Sequence, residues 1–251
     1  MWLGLWFSMN DDRHNDTPLL TYSRPVIALG GGSYDTAMIT PLLADYPLIA
    51  ADSGADAAQS MGVMPDHIIG DFDSIRDLSL FPAERLIAMP DQNSTDLEKT
   101  LSCLRAPLCL GFGFLGRRFD HSLAALHALA RCQTPMLLIG RHDAVIYCRK
   151  DFNALLPQGE RLSVWPLVWQ AFLASTGLEW PLDGLRIEAG KKIGTSNRIM
   201  ASHDSELKAG QHIRVSMQAK EGEGYFVMLA AQHWRCLAES ISPGTLTQAL
   251  S

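Results

Sequence analysis

Nowhere in the 251 residues does an apolar run approach the ~18–20 positions that a membrane-crossing helix needs. Basic charge is in short supply as well: 21 Lys and Arg face 27 Asp and Glu, a net charge of −6. With a pI near 5.7, this argues against a general nucleic-acid surface, which is usually basic. It does not exclude a phosphate ligand, whose charge a metal and a few local Lys or Arg can meet. Cysteine pairing is missing too. Cys103, Cys109, Cys132, Cys148 and Cys236 are odd in number, show no CxxC spacing, and mostly sit in or beside apolar stretches. They read as small hydrophobes in a reduced, cytoplasmic setting, with no zinc site expected. The opening "MWLGLWFSM" is apolar but short, lacks a basic leader and runs into "NDDRHND". It is expected to be a disordered or packed extension rather than a signal peptide, with Met9 as an alternative start.

What is present is a change of grammar halfway along the chain. From residue 25, short apolar runs alternate with amphipathic ones. "PVIALGGG", "PLIAAD", "DHIIGD", "ERLIAMPD", "PLCLGFGF", "PMLLIG" and "AVIYC" read as strands. "DTAMITPLLADY", "GADAAQSM", "STDLEKTLSCLR" and "DHSLAALHALARC" read as helices, the third opening on Ser94 or Thr95 as N-cap with an acidic first turn. Strand–helix alternation with near-continuous apolar strands predicts a Rossmann-like α/β domain with a mostly parallel sheet, over residues 24–150. Beyond it come short alternating segments parted by Gly, Pro, Asp and Asn, with no long helical pattern. They predict an all-β sandwich over 151–240, followed by a C-terminal tail from "SISPGTLTQALS".

The polar residues fall at one edge of this layout. In open α/β sheets, ligands bind outside the carboxyl ends of the strands. Asp52 follows "LIAA", Asp71 and Asp73 follow "HII", Asp91 and Gln92 follow "LIAMP", and Arg118 with Asp120 follows "CLGFGF", while Asp96 opens a helix. A single Asp there is a common cap or turn residue, which suffices for Asp91 or Asp120 taken alone. The DxD pair of "GDFDSI" is different. Two carboxylates ~5–6 Å apart at an effective dielectric of ~20 repel by roughly 3 kcal/mol, a cost that folding does not require and that a cation relieves. Carboxylates without His or Cys companions suit Mg²⁺, which takes one or two of them together with substrate phosphates. Lys99, one turn after Asp96, and Arg117 and Arg118 supply positive charge nearby. The "GGGS" run containing Gly31 could offer backbone N–H groups to a phosphate. His121 suits either an acid/base role or a structural hydrogen bond at a helix start.

Together, "ADSGAD" (51–56), "PDHIIGDFDSI" (65–75), "DQNSTDLEKTL" (91–101) and "GRRFDHSLAAL" (116–126), joined by "STGLEWPL" (175–182) and "GTSNR" (194–198), resemble the thiamin pyrophosphokinase family. The resemblance implies an α/β domain followed by a β-sandwich, working as a homodimer with sites at the subunit interface. It also implies transfer of the pyrophosphoryl group of ATP, with Mg²⁺, to the hydroxyl of thiamin, leaving AMP. Carried over by motif position, Asp52, Asp71, Asp73 and Asp96 form the Mg²⁺–ATP centre, with the general base open between Asp73 and Asp96. Gly31, Lys99, Arg118 and Asp120 lie near the nucleotide. Gln92, Trp180, Ser196 and Asn197 contact thiamin, the serine and asparagine coming from the partner subunit. The chain departs from the family pattern at Ser53, at Arg117 (where the family has a second glycine before the arginine), at Ala125 and at Arg198. Other readings of the same residues are a diphosphokinase for a hydroxymethyl-pterin, a non-catalytic thiamin binder and a DxD glycosyltransferase.

Overall fold

A computed structural model describes residues 19–200 and 211–246. The N-terminal stretch with Met9, and the last residues of the expected tail, lie outside the described residues. Strands β1 (Leu20–Thr21), β2 (Val26–Leu29), β3 (Leu48–Ala51), β4 (His67–Gly70), β5 (Leu86–Ala88), β6 (Leu104–Arg105), β7 (Cys109–Phe112) and β8 (Met136–Ile139) fill the first half. They are interleaved with helices α1 (Thr36–Ile39), α2 (Gly54–Ser60), α3 (Asp96–Cys103) and α4 (Phe119–Arg131). Then come β9 (Asp143–Cys148), β10 (Phe152–Pro157), β11 (Arg161–Pro166), β12 (Trp169–Thr176), β13 (Arg186–Glu188), β14 (Gly194–Arg198), β15 (His212–Gly222), β16 (Tyr225–Ala230) and helix α5 (Trp234–Ile241).

One large mixed sheet runs through both halves, in the order β14-β11-β16-β9-β8-β7-β2-β3-β4-β5. From β8 to β5 neighbouring strands are parallel, and from β8 to β14 they are antiparallel. A separate antiparallel sheet, β10-β15-β12-β13, lies against the second part. The strand chemistry accounts for this. β2, β3, β7 and β8 are buried at every position, as strands covered on both faces must be. On β2, Ile27 and Leu29 join one core, while Val26 and Ala28 join another under α3 and α4. β10 alternates at first between buried Phe152 and Ala154 and exposed Asn153 and Leu155. Phe172 of β12 meets Tyr225 of β16 edge-to-face at 5.0 Å, sealing the two sheets together.

Two expected elements change. The helix expected over "DTAMITPLLADY" is a single turn, α1, continuing as a 3₁₀ turn over Thr40–Leu42. Pro41 has no N–H to continue an α-helix, and its ring crowds the preceding turn. The second half does contain a helix of two turns. α5 places Trp234, Leu237 and Ala238 in the core, in the same cluster as Phe152 and Leu156 of β10 and Leu137 and Ile139 of β8, strands that α5 packs against. Its end is pinned where Ser242 Oγ donates to the Pro107 carbonyl at 2.8 Å. α5 thus closes the seam between the parallel and antiparallel parts. Trp234 is 2% exposed, so Trp234→Ala should lower unfolding free energy by about 3–5 kcal/mol, read from urea melts. A loss under ~1 kcal/mol would mean that α5 is not part of the core.

Candidate active site

β2, β3, β4 and β5 proceed outward on one side of β2, and the chain then returns to place β7 and β8 on the other. The loops after β2 and β7 therefore separate at a switch point, where an open sheet forms a crevice. They touch at their base: the Gly30 N–H donates to Phe112 O and the Gly32 N–H to Gly113 O, both at 2.8 Å. A side chain on Gly32 would lie 2.4 Å from that Gly113 carbonyl. Two of the three glycine amides are thus engaged by backbone, which narrows the phosphate cradle expected from "GGGS" to the surroundings of Gly31. Above them opens a cavity of about 410 Å³.

Asp52, Asp71 and Asp73 come together beside this crevice, each offering an oxygen within 4.8 Å of the others, and Asp71 and Asp73 line it. The local backbone is bent to achieve it. The strand ends at Gly70, and Phe72 takes a left-handed φ of 66°, so the two carboxylates do not simply continue along a strand. Asp52 is left-handed too, at φ 44°. Strain of this kind persists where the surroundings enforce it. Gly70 is needed because a Cβ there would sit 3.0 Å from the Asp52 Cβ. Asp52 is buried at 1% exposure, and its Oδ1 has no hydrogen-bond partner. Burial, and then the charges of Asp73 and Asp71, push its carboxyl above the usual range, against a hydrogen bond from Ser74.

Asp96 stands apart from the three. It opens α3, which Thr95 caps in a reciprocal capping box with Glu98. Its carboxylate faces Lys99 Nζ at 3.6 Å, and the same buried ammonium reaches Asp71 Oδ2 at 3.1 Å. Burial raises the Asp96 carboxyl, reinforced by the Asp52 charge. The Lys99 hydrogen bond holds Asp71 below its usual range, and Gln92 Nε2 adds a bond to Asp71 Oδ2 at 2.8 Å. Lys99 is thus the countercharge of the acidic cluster, and Gln92 steadies it.

Gly31, Lys99, Arg118 and Gln92 all line the cavity, as do Asp71, Asp73, Asp96 and His121. Asp120 is paired with Arg118, whose Nε donates to it at 3.1 Å. Asp91 is a turn residue, accepting from Asn93 N at 3.0 Å and Ser94 Oγ at 2.6 Å. Trp180, Ser196 and Asn197 lie elsewhere. β14 is eight strand steps from β4, roughly 35–40 Å away within one chain. There Asn197 Nδ2 donates to the Trp180 carbonyl at 2.7 Å, Ser196 is left-handed at φ 60°, and the Trp180 ring is half exposed. One residue passed over in the sequence is Asp56, which accepts the Arg76 N–H at 3.3 Å and anchors the loop carrying Asp71 and Asp73. Its spacing in "ADSGAD" suggested only a helix surface.

The family model for the thiamin pyrophosphokinase catalytic domain matches residues 43–139. Thiamin pyrophosphokinase 1 of Caenorhabditis elegans is 30% identical over 156 residues, covering 55% of this chain and 64% of its own. Thiamine pyrophosphokinase 1 of Oryza sativa subsp. japonica is 31% identical over 181 residues, covering 59% and 66%. The matched stretch therefore spans just under two thirds of these relatives. Among solved structures, thiamin pyrophosphokinase from Geobacillus thermodenitrificans superposes with a TM-score of 0.65 at 19% identity, over 84% of this chain and 99% of that one. The enzyme from Candida albicans does so at 0.65 and 14%, over 83% and 88%. At those identities the likeness is one of fold.

The raised carboxyl of Asp52 gives a stability prediction. A group whose folded pKa lies above its unfolded value favours folding below the unfolded value, and that benefit is lost as pH rises through the folded one. At neutral pH without divalent cations, Asp52→Asn should therefore raise the melting temperature, and the gain should shrink toward pH 4. Excess Mg²⁺ should stabilise the wild type more than the variant. Calorimetric scans showing equal Mg²⁺ shifts in both would exclude Asp52 as a ligand.

Proposed function

We propose, for a chain whose residues 43–139 belong to the thiamin pyrophosphokinase catalytic-domain family, that it transfers the pyrophosphoryl group of ATP to the hydroxyl of thiamin, giving thiamin diphosphate and AMP. The observation that carries this reading is the cluster of Asp52, Asp71 and Asp73, of which Asp71 and Asp73 line a cavity that Gly31, Arg117 and Arg118 line as well. Three hard oxygen donors, one of them buried with an orphaned oxygen, fit Mg²⁺. Bound there, the ion supplies neutralisation of phosphate charge, which phosphoryl-type transfer needs more than covalent help.

The protein's own groups do the rest. The glycine loops and the two arginines orient the triphosphate. The thiamin hydroxyl oxygen forms a bond to the β-phosphorus while the bridge to the α-phosphate breaks, and AMP departs with that bridging oxygen. Asp96 accepts the hydroxyl proton. It lies outside the trio, and burial raises its carboxyl, which favours taking up a proton. Lys99 keeps Asp71 ionised throughout.

The thiamin site draws on both ends of the large sheet. Gln92 stands at the cavity, while Trp180, Ser196 and Asn197 lie too far from it within one chain to touch the same ligand. A homodimer that sets the 151–240 unit, a β-sandwich, against the 24–150 catalytic unit of its partner brings them together. Among the described residues no helix is long and apolar enough to cross a membrane, and the cytoplasm, where ATP is available, is the compartment this reading assigns.

Purified protein with Mg²⁺-ATP and thiamin should yield equal amounts of AMP and thiamin diphosphate by chromatography. Asp73→Asn should lower kcat about 10²-fold or more while leaving the melting temperature unchanged or raised. Production of ADP instead of AMP, or turnover with pterin alcohols alone, would overturn the assignment.

A further inference from the structure

Ser53 and Arg117 are distant in sequence and meet at Gly31. A Cβ on Gly31 would lie 2.3 Å from Ser53 Oγ, and Arg117 Nη1 donates to the Gly31 carbonyl at 3.3 Å. All three line the cavity. Both residues are places where the chain departs from the pattern it otherwise resembles, so the departures converge on one spot.

Arg117 is held in an unfavourable conformation. Its φ is 56°, directly after Gly116 at φ 79°. Left-handed backbone disfavours any side chain beyond Gly, Asn or Asp. Core packing does not explain an arginine there, because the residue is exposed and has one long hydrogen bond to Gly31. Neutralisation does not explain it either. Among the described residues no carboxylate lies within ion-pair distance of Arg117, whereas its neighbour Arg118 is held by Asp120. The result is an unneutralised guanidinium at the cavity wall, tethered by one nitrogen to the glycine loop, with the rest of its planar fork free to meet phosphate oxygens.

We propose that Arg117, seated by Gly31 and Ser53, positions the polyphosphate chain of the nucleotide and so sets affinity for it. The proposal rests on the ATP reading above. Ser53 is the floor of the seat: with its hydroxyl against Gly31 it limits where the carbonyl that anchors Arg117 can move.

The test is calorimetric titration of the full chain with Mg²⁺-ATP, Mg²⁺-tripolyphosphate, adenosine and thiamin. Arg117→Gly should weaken Mg²⁺-ATP and tripolyphosphate by about tenfold, the worth of one charge-assisted contact. Thiamin and adenosine should change by less than about twofold, and the melting temperature should stay level or rise, because glycine accepts this φ. Arg117→Lys, which keeps the charge without the fork, should fall between. Ser53→Gly should weaken Mg²⁺-ATP less than Arg117→Gly does. Adding it to Arg117→Gly should cost nothing more, since both act through one seat. Wild-type affinity for tripolyphosphate in Arg117→Gly, or equal losses for thiamin and ATP, would overturn the proposal. Wild type that binds ATP and tripolyphosphate but not thiamin would sink the thiamin reading and leave Arg117 standing. Wild type that binds neither phosphate compound would overturn both.

Discussion

Mutual repulsion among Asp52, Asp71 and Asp73 is the constraint around which the first half of the molecule is arranged. Charges this close oppose folding unless something compensates, and the compensation is only partial. Lys99 is buried between Asp71 and Asp96, and Gln92 bonds the same oxygen of Asp71. Asp52 has no comparable help: its Oδ1 is buried without a partner. Left-handed backbone at Asp52 and Phe72 adds to the cost of aiming these groups together. A fold that accepts all of this has its stability secured elsewhere, in the two buried layers on either side of the sheet and in α5.

The switch point explains why the cluster can be presented to a ligand at all. Because strands leave β2 in both directions, the loops after β2 and β7 part above the sheet. The backbones of Gly30, Gly32 and Gly113 meet closely at the base. Above that contact Arg117 and Arg118 line the same cavity as Asp71 and Asp73. Asp56 extends the same logic outward. By accepting the Arg76 amide it fixes the far end of the loop that carries Asp71 and Asp73, so that the αL turn at Phe72 is held between two anchors.

Much of this was legible in the residues. Apolar strand runs, Asp at their carboxyl ends and an N-cap at Ser94 or Thr95 are local signals, and local signals survive in sequence. Position put Asp52, Asp71, Asp73 and Asp96 at one sheet edge, and the structure brings the first three within 4.8 Å of one another. What failed to show was long-range or conditional. Pro41 cut a helix that the apolar spacing of 35–46 suggested, because periodicity carries no account of a missing N–H. α5 is not among the expected helices, although Trp234, Leu237, Ala238 and Ile241 stand at helical spacing. The preceding strand "GYFVMLAA" masked where one period gave way to the other. The separation of Asp96 from Asp52, Asp71 and Asp73 depends on where Lys99 points, and spacing along α3 does not say that. Nor could the sequence indicate that one sheet would run unbroken from β5 to β14.

That unbroken sheet sets a physical limit on how one chain can work. Strand spacing fixes the distance from the carboxylates beyond β3 and β4 to the place where Asn197 of β14 holds Trp180, and no side-chain motion spans it. Hinge motion does not shorten it either, since adjacent strands are hydrogen-bonded in continuous register across the β8–β9 junction. That edge is nevertheless well braced. Asn197 is buried and exchanges hydrogen bonds with the Trp180 backbone in both directions, Ser196 is held left-handed, and Arg198 lies 6.0 Å from the Trp180 ring centre. A half-exposed indole on a rigidly braced edge is a surface prepared for a ligand or another chain rather than a frayed end. In the proposed homodimer a second copy turned end for end would offer each cavity such a surface with no change to either sheet. The rigidity that keeps the two ends apart in one chain is the same property that would present them accurately across two.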